Sequence, residues 1–298
     1  MEILVAKTVG FCFGVKKAVN LAYKAAEGHH RAIYTLGPII HNPQMVAELE
    51  KVGVYTKRDI GEIDDGTVII RSHGVSLMEM EELQKRGLRI VDATCPFVKR
   101  AHEYVRLLSE EGYFIVIVGE KEHPEVKGIL SYGGKDVLVA GSVEDLRDMP
   151  RKKKVGVVAQ TTQPLENLQA IVSFCLKRTG ELKVFNTICN ATSIRQEESK
   201  GLARQVDCMV VVGGRNSANT NRLAEVCRII QPNTHHIEVA EEINTKWFED
   251  VERVGVTAGA STPEWIIKEV VEVIRTMNKS SISKGESPKI DIDFWGKL

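Results

Sequence analysis

Phe114-Ile-Val-Ile-Val-Gly-Glu-Lys-Glu-His-Pro-Glu125 runs from five apolar residues into a glycine, reaching a histidine four positions later and then a proline. Five apolar residues are too few for a helix and read as a strand buried on both faces. Pro124 suits the first turn of a helix, where its missing N–H would have no partner anyway. The stretch is a strand, a turn and a helix start, with His123 at the carboxyl end of the strand. In open α/β units that is where ligands bind, because helix N-termini present free N–H groups there.

The same grammar occurs twice more, at Leu36-Gly37 with His41 and at Val212-Gly213 with Ser217. His41 lies 29 residues after Cys12, His123 lies 28 after Cys95, and Ser217 lies 28 after Cys189. A second set follows: Val68-Ile-Ile-Arg-Ser-His73, Val157-Val-Ala-Gln-Thr-Thr162 and Val256-Thr-Ala-Gly-Ala-Ser261 each run from a strand to a polar residue. The order cysteine, first polar site, second polar site therefore occurs three times. Between these segments lie helical periodicities such as Val15, Ala18, Val19, Ala22 and Ala26, or Leu223, Val226, Cys227 and Ile230. Strands alternating with helices imply mostly parallel sheets. The expected fold class is α/β, a trefoil of three pseudo-symmetric α/β units packed about a pseudo-threefold axis. The units are expected at 1–96, 97–190 and 191–278. Residues 279–298 then form a linker, Lys279 to Gly285, and a tail with a short strand from Ile290 to Trp295.

The 298 residues carry 40 Lys+Arg against 40 Asp+Glu, a formal net charge of zero. Nucleic-acid partners usually require a basic excess, so that class is set aside. With 43% apolar and 27% charged residues, the chain can bury a core. No apolar stretch approaches the ~18 residues of a membrane span, and the N-terminus lacks the features of a signal peptide. The expectation is a cytoplasmic protein, monomeric by default, with no membrane partner. Length alone suggests about two domains; the repeats raise this to three.

Six cysteines without a C-x-x-C pair exclude a disulfide scaffold and a zinc-finger spacing. Cys175, Cys208 and Cys227 fall inside helices or strands and read as small buried hydrophobes. Cys12, Cys95 and Cys189 sit at element ends, where a helix N-terminus favours the thiolate. Three converging thiolates suit a 4Fe–4S cluster with an open fourth iron, or zinc with a water, and spacing does not choose between them. His41, His73 and His123 occupy equivalent tiers and read as functional. His29, His30, His102, His235 and His236 read as solvated loop-end residues. Imidazoles, hydroxyls, the Asn219 amide and helix N-termini together suit a diphosphate. Glu125, in a first helical turn beside such a site, has the position of a proton donor. There is no Walker A pattern, no G-x-G-x-x-G after the first strand and no G-x-S-x-G elbow.

Gly10-Phe-Cys-Phe-Gly-Val15, Gly37-Pro-Ile-Ile-His-Asn42, Arg71-Ser-His-Gly74, Asp92-Ala-Thr-Cys-Pro96 and His123-Pro-Glu125 carry a specific resemblance. With them go Gln160-Thr-Thr162, Asn186-Thr-Ile-Cys189, Asn216-Ser-Ala-Asn219 and Ala258-Gly-Ala-Ser261. Over about residues 3 to 275 the chain resembles the 4-hydroxy-3-methylbut-2-enyl diphosphate reductase (LytB/IspH) family. The resemblance implies a trefoil around one 4Fe–4S cluster, held by Cys12, Cys95 and Cys189 with one iron open. It implies that His41, His73, His123, Thr162, Ser217, Asn219 and Ser261 bind the substrate diphosphate, that Glu125 relays protons, and that Thr161 stands nearby. Ala218 replaces a serine of many members, leaving only its backbone N–H to offer the substrate. The implied reaction is two-electron reductive dehydroxylation of the allylic diphosphate to isopentenyl and dimethylallyl diphosphate, with ferredoxin or flavodoxin as transient electron donor. A redox-neutral dehydratase of the quinolinate synthase type would share the cluster but bind carboxylates. A phosphometabolite binder with merely buried cysteines would hold no iron.

Overall fold

The computed structural model describes residues 1–27 and 32–281. His29, His30 and the expected tail strand at 290–295 lie outside the described residues. In chain order, β1 (Glu2–Val5) leads through Cys12 into α1 (Phe13–Glu27), β2 (Ile33–Leu36), α2 (Pro43–Lys51), β3 (Val54–Lys57), β4 (Thr67–Ile70), α3 (Leu77–Lys85) and β5 (Arg89–Asp92). Cys95 then opens α4 (Pro96–Glu110), β6 (Phe114–Val118), α5 (Pro124–Leu130), β7 (Val137–Ala140), β8 (Lys152–Ala159), α6 (Leu165–Leu176) and β9 (Thr179–Phe185). After Cys189 come α7 (Asn190–Ala203), β10 (Cys208–Val212), α8 (Ala218–Ile230), β11 (Thr234–Ile237), β12 (Arg253–Ala258) and α9 (Glu264–Ser281). Helix α9 runs through residues 279–281, where a linker was expected, and the rest of that linker is outside the described residues.

The chain divides into two compact units. One comprises residues 1–12, 41–43 and 191 onward; the other comprises 13–40 and 44–190. The second unit contains two four-stranded sheets, ordered β3-β2-β4-β5 and β7-β6-β8-β9, and the first contains one, ordered β1-β12-β10-β11. Every pairing in the three sheets is parallel. The three orders follow one plan. The strand nearest after each cysteine-led helix lies between the next two, and the fourth strand adds to the third.

In the first unit the fourth strand is β1, which pairs with β12 in the register Ile3↔Val254 and Val5↔Val256. Residues 2–5 therefore depart from the expected 1–96 grouping. The repeat runs from cysteine to cysteine, and the N-terminal strand completes the last sheet. Parallel pairing needs a distant partner in any case, so nearness in sequence is a poor guide to it.

Strand burial follows the two-residue period of the pleat. In β10, Cys208, Val210 and Val212 join a core with Ile266, Ile267, Val270 and Ile274 of α9. Met209 and Val211 face the opposite way, toward Leu223, Ala224 and Cys227 of α8. In β6, Val116 and Val118 pack with Leu168, Ile171 and Cys175 of α6, while Ile115 and Ile117 pack with Ala101, Val105 and Leu108 of α4. Helices cover both faces, which is why these strands read as unbroken apolar runs. Among the described residues no helix is long and apolar enough to cross a membrane.

Candidate active site

Each cysteine of the repeat directly precedes a long helix: Cys12 before α1, Cys95 before α4 and Cys189 before α7. All three stand outside any disulfide and are partly exposed, whereas Cys175, Cys208 and Cys227 stand outside any disulfide and are buried. Burial pushes the Cys175 thiol up to about 11 and the Cys208 and Cys227 thiols up to about 12. Those three stay protonated and inert as ligands.

In the second unit, backbone hydrogen bonds fix the cysteine loops to the polar tiers. Cys95 N–H donates to Ser72 O (3.0 Å), beside His73, and Cys189 N–H donates to Thr161 O (2.9 Å). Cys95 occupies the N-cap position of α4, with Pro96 next. A Cβ on Gly14 would stand 2.6 Å from Cys95 Sγ. Glycine at 14 thus leaves room around the sulfur that no other residue would leave. Partly exposed thiols at helix N-termini, one of them in a side-chain-free cradle, have the donor chemistry of an iron–sulfur site.

The rings of His73 and His123 meet edge to face, with centroids 5.5 Å apart and planes at 86°. His123 caps α5, its Nδ1 accepting from Glu125 N–H at 3.1 Å. An accepting Nδ1 leaves the proton of a neutral ring on Nε2, so the outer nitrogen is a donor. Thr162 Oγ1 accepts from Gln160 Nε2 at 3.0 Å.

Glu125 is only 2% exposed. Its Oε1 accepts from Thr161 N–H at 2.6 Å and its Oε2 from Thr161 Oγ1 at 2.9 Å. Desolvation raises its pKa from 4.5 to about 7, against the lowering effect of the two Thr161 hydrogen bonds. A buried carboxyl poised near neutrality has the proton affinity that a general acid needs.

The first unit gathers the other half of the expected residues. Ser261 Oγ donates to His41 O (3.2 Å) and lies 3.4 Å from Ser217 Oγ. Ser217 caps α8, its Oγ accepting from Thr220 N–H at 3.3 Å. Ala218 and Asn219 form the first turn of that helix, so their N–H groups belong to its open end. Asn219 is 6% exposed, and both its amide oxygen and nitrogen are buried with no hydrogen-bond partner. Leaving such an amide unpaired costs roughly 1–3 kcal/mol, which a polar ligand would recover. Cys12 N–H donates to Ala260 O at 3.1 Å, next to Ser261.

Three histidines differ from the expectation of solvated loop ends. His102 lies within α4, is 7% exposed and stacks on Tyr132 at 4.5 Å. Burial holds it down at about 4, so it is neutral. A Cβ on Gly74 would stand 3.0 Å from its Cε1, and one on Gly128 3.3 Å from its Nε2. The ring thus packs behind the loop of His73 and against the helix of Glu125. His235 and His236 are half-buried in β11, and His235 stacks on Trp247 at 3.9 Å. Arg71 supports the same loop, a role that the repeat pattern does not mark. Its Nε donates to Gly74 O at 3.3 Å, and its guanidinium fills the space a side chain at Gly37 would need. The one sequence signal for it is its place two residues before His73.

Fold and residues together define a parallel α/β protein that presents thiols, imidazoles, hydroxyls and a buried carboxyl at the carboxyl ends of its strands. A family model described as LytB protein matches residues 3–275. A protein of Pelobacter propionicus named 4-hydroxy-3-methylbut-2-enyl diphosphate reductase is 60% identical over 281 residues, covering 94% of this chain and 100% of the relative. One of the same name from Geotalea uraniireducens is 57% identical over 279 residues, covering 94% and 99%. Among solved structures, (E)-4-hydroxy-3-methyl-but-2-enyl diphosphate reductase, described as the terminal enzyme of the non-mevalonate pathway, is 48% identical. It covers 93% of this chain and 100% of its own, with a TM-score of 0.69. The Plasmodium falciparum reductase structure is 27% identical, covers 91% and 87%, and has a TM-score of 0.87. The three parallel-sheet modules match the trefoil fold of these reductases. The chain belongs to the LytB protein family.

Proposed function

We propose that this chain reduces 4-hydroxy-3-methylbut-2-enyl diphosphate to isopentenyl and dimethylallyl diphosphate, with water as the second product. The observation that carries the reading is Glu125, a buried carboxyl hydrogen-bonded twice to Thr161 and holding its proton to about pH 7. Reductive removal of a hydroxyl consumes two electrons and two protons. The carbon–oxygen bond breaks, a carbon–hydrogen bond forms, and the oxygen leaves as water. A proton source in the site is what that balance demands.

Cys12, Cys95 and Cys189 would hold one 4Fe–4S cluster. With one iron left open, such a cluster supplies electrons singly and a Lewis-acidic position for the substrate hydroxyl. The rest falls to the chain's own side chains. His41, His73, His123, Thr162, Ser217, Asn219 and Ser261 bind the diphosphate, assisted by the backbone N–H of Ala218. The unpartnered amide of Asn219 supports this assignment in the first unit. His123 presents a protonated Nε2 because its Nδ1 is committed to the helix. Glu125 delivers a proton toward the departing oxygen and regains one from solvent, and Thr161 holds the carboxyl in place through its N–H and hydroxyl. A ferredoxin or flavodoxin would serve as the transient electron donor to a monomeric enzyme.

The test is anaerobic. Reconstituted protein should contain about four irons per chain. Under a strong one-electron reductant it should convert hydroxymethylbutenyl diphosphate to the two C5 diphosphates. Iron-loaded, reduced protein that leaves the substrate untouched overturns the reading.

A further inference from the structure

Between β1 and α1 the chain crosses residues 6–12 without regular structure. The two ends of this crossing are tied to β12 and to the loop that follows it: Ala6 N–H donates to Val256 O (2.9 Å) and Cys12 N–H to Ala260 O (3.1 Å). The middle is held by one face of α7. Glu198 accepts from Lys7 N–H and from the Thr8 hydroxyl, and from Thr8 N–H at 2.9 Å. Arg195, one turn earlier, donates from Nη2 to Gly10 O at 2.7 Å and from Nη1 to Ala191 O at 3.3 Å. Positions three apart on a helix share a face, so the two side chains form a clamp of opposite charges on Lys7, Thr8 and Gly10. Gly10 has φ +82°, a conformation costly for any residue with a side chain. That conformation belongs to the residue whose carbonyl meets the guanidinium.

Arg195 is 6% exposed. Burying a guanidinium is expensive unless its N–H groups are engaged, and the Nη2 of Arg195 engages a carbonyl two residues before Cys12. We propose that Arg195, with Glu198, is a positioning residue for Cys12: the clamp fixes the loop that aims its sulfur at the cluster. The inference rests on the reading of Cys12 as a ligand. Groups that orient metal ligands from behind change metal affinity about 10–100-fold when removed, and hydrogen bonds and charge near a cluster tune its potential.

The test is residue-resolved alkylation of the iron-loaded protein with a small haloacetamide, under anaerobic conditions. Coordinated thiolates react slowly, so labelling reports release of each ligand. Arg195→Met should speed labelling of Cys12 about tenfold or more, with Cys95 and Cys189 within about twofold of the wild type. Glu198→Gln, which loses an acceptor for the Lys7 and Thr8 donors, should act in the same direction and decides alone if Arg195→Met does not fold. Arg195→Lys, which keeps the charge and one donor, should restore part of the protection. Equal acceleration at all three cysteines, or none, overturns the clamp. Wild-type protein that takes up no iron overturns the cluster reading instead, and the positioning role with it.

Discussion

Replacing Glu125 by glutamine should stabilise the protein at alkaline pH and leave its stability unchanged in acid. The carboxyl is buried and keeps its proton to about pH 7 in the folded chain, against 4.5 for an unburied glutamate. Below pH 4.5 the group is neutral in both folded and unfolded chains and contributes no difference. Between 4.5 and 7 the unfolded chain has lost a proton that the folded chain retains. Stability then falls by about 1.4 kcal/mol per pH unit. Across that interval the loss is about 3 kcal/mol, complete once pH passes the folded-state value. A raised pKa thus favours the fold in acid and penalises it in base.

Glutamine at 125 removes the charge while keeping the shape. Its amide oxygen still accepts from Thr161 N–H, and its NH₂ donates to the Thr161 hydroxyl, whose proton rotates away. The wild-type and E125Q chains should therefore have equal urea stabilities at about pH 3.5, below the unfolded-state value of 4.5, with E125Q about 3 kcal/mol more stable at about pH 8. Comparing the pair cancels every other titrating group. A difference that is flat with pH, or that grows toward acid, refutes a raised Glu125 pKa. The same substitution should cut turnover by roughly a hundredfold, the usual scale for a general acid. Gaining stability while losing activity separates a proton donor from a structural carboxyl.

Thr161→Val removes a hydrogen bond that favours the charged carboxylate. Glu125 should then titrate higher, and the alkaline limb of the kcat profile near pH 7 should move upward; an unmoved or lowered limb would detach that limb from Glu125. Gly14→Ala places a methyl carbon 2.6 Å from Cys95 Sγ, so iron per chain after anaerobic reconstitution should fall while the circular dichroism spectrum is retained. Cys208→Ala trims a buried thiol from the sheet of the first unit. It should cost about 1 kcal/mol in urea unfolding and leave iron content at the wild-type level, and iron loss there would reassign the ligands.

What the sequence made legible is what local physics dictates. Strands covered on both faces must be apolar throughout, so β6 and β10 stand out in the chain. Polar residues at their carboxyl ends, placed after a glycine, mark the start of the next helix. The place of β1 was not legible, because its partner β12 lies some 250 residues away and four short residues carry no address. His102 was legible and misread. Val98, Ala101, His102, Val105 and Leu108 recur at helical spacing and are all buried, which puts His102 on the apolar face of α4. A histidine on that stripe belongs to the interior, and its neighbours Gly74 and Gly128 show which loop and helix it supports.

Helix α7 shows where hydrophobic periodicity loses its power. Its buried residues are Thr192, Arg195, Gln196, Ser199 and Ala203, spaced like any amphipathic stripe but polar in four of five places. A pattern search keyed to apolar residues finds no face there. Burying such a face forgoes hydrophobic stabilisation and makes each polar group that stays unpartnered costly. Arg195 finds Gly10 O, and Ser199 Oγ meets Thr257 Oγ1 at 2.9 Å. Core packing alone would favour leucine or valine in these positions. Directed polar contacts from the middle of a helix that follows one cysteine, reaching a loop that carries another, are explained by what the loop must hold in place. Where helical spacing persists but its residues are polar, the stripe marks the support of a site.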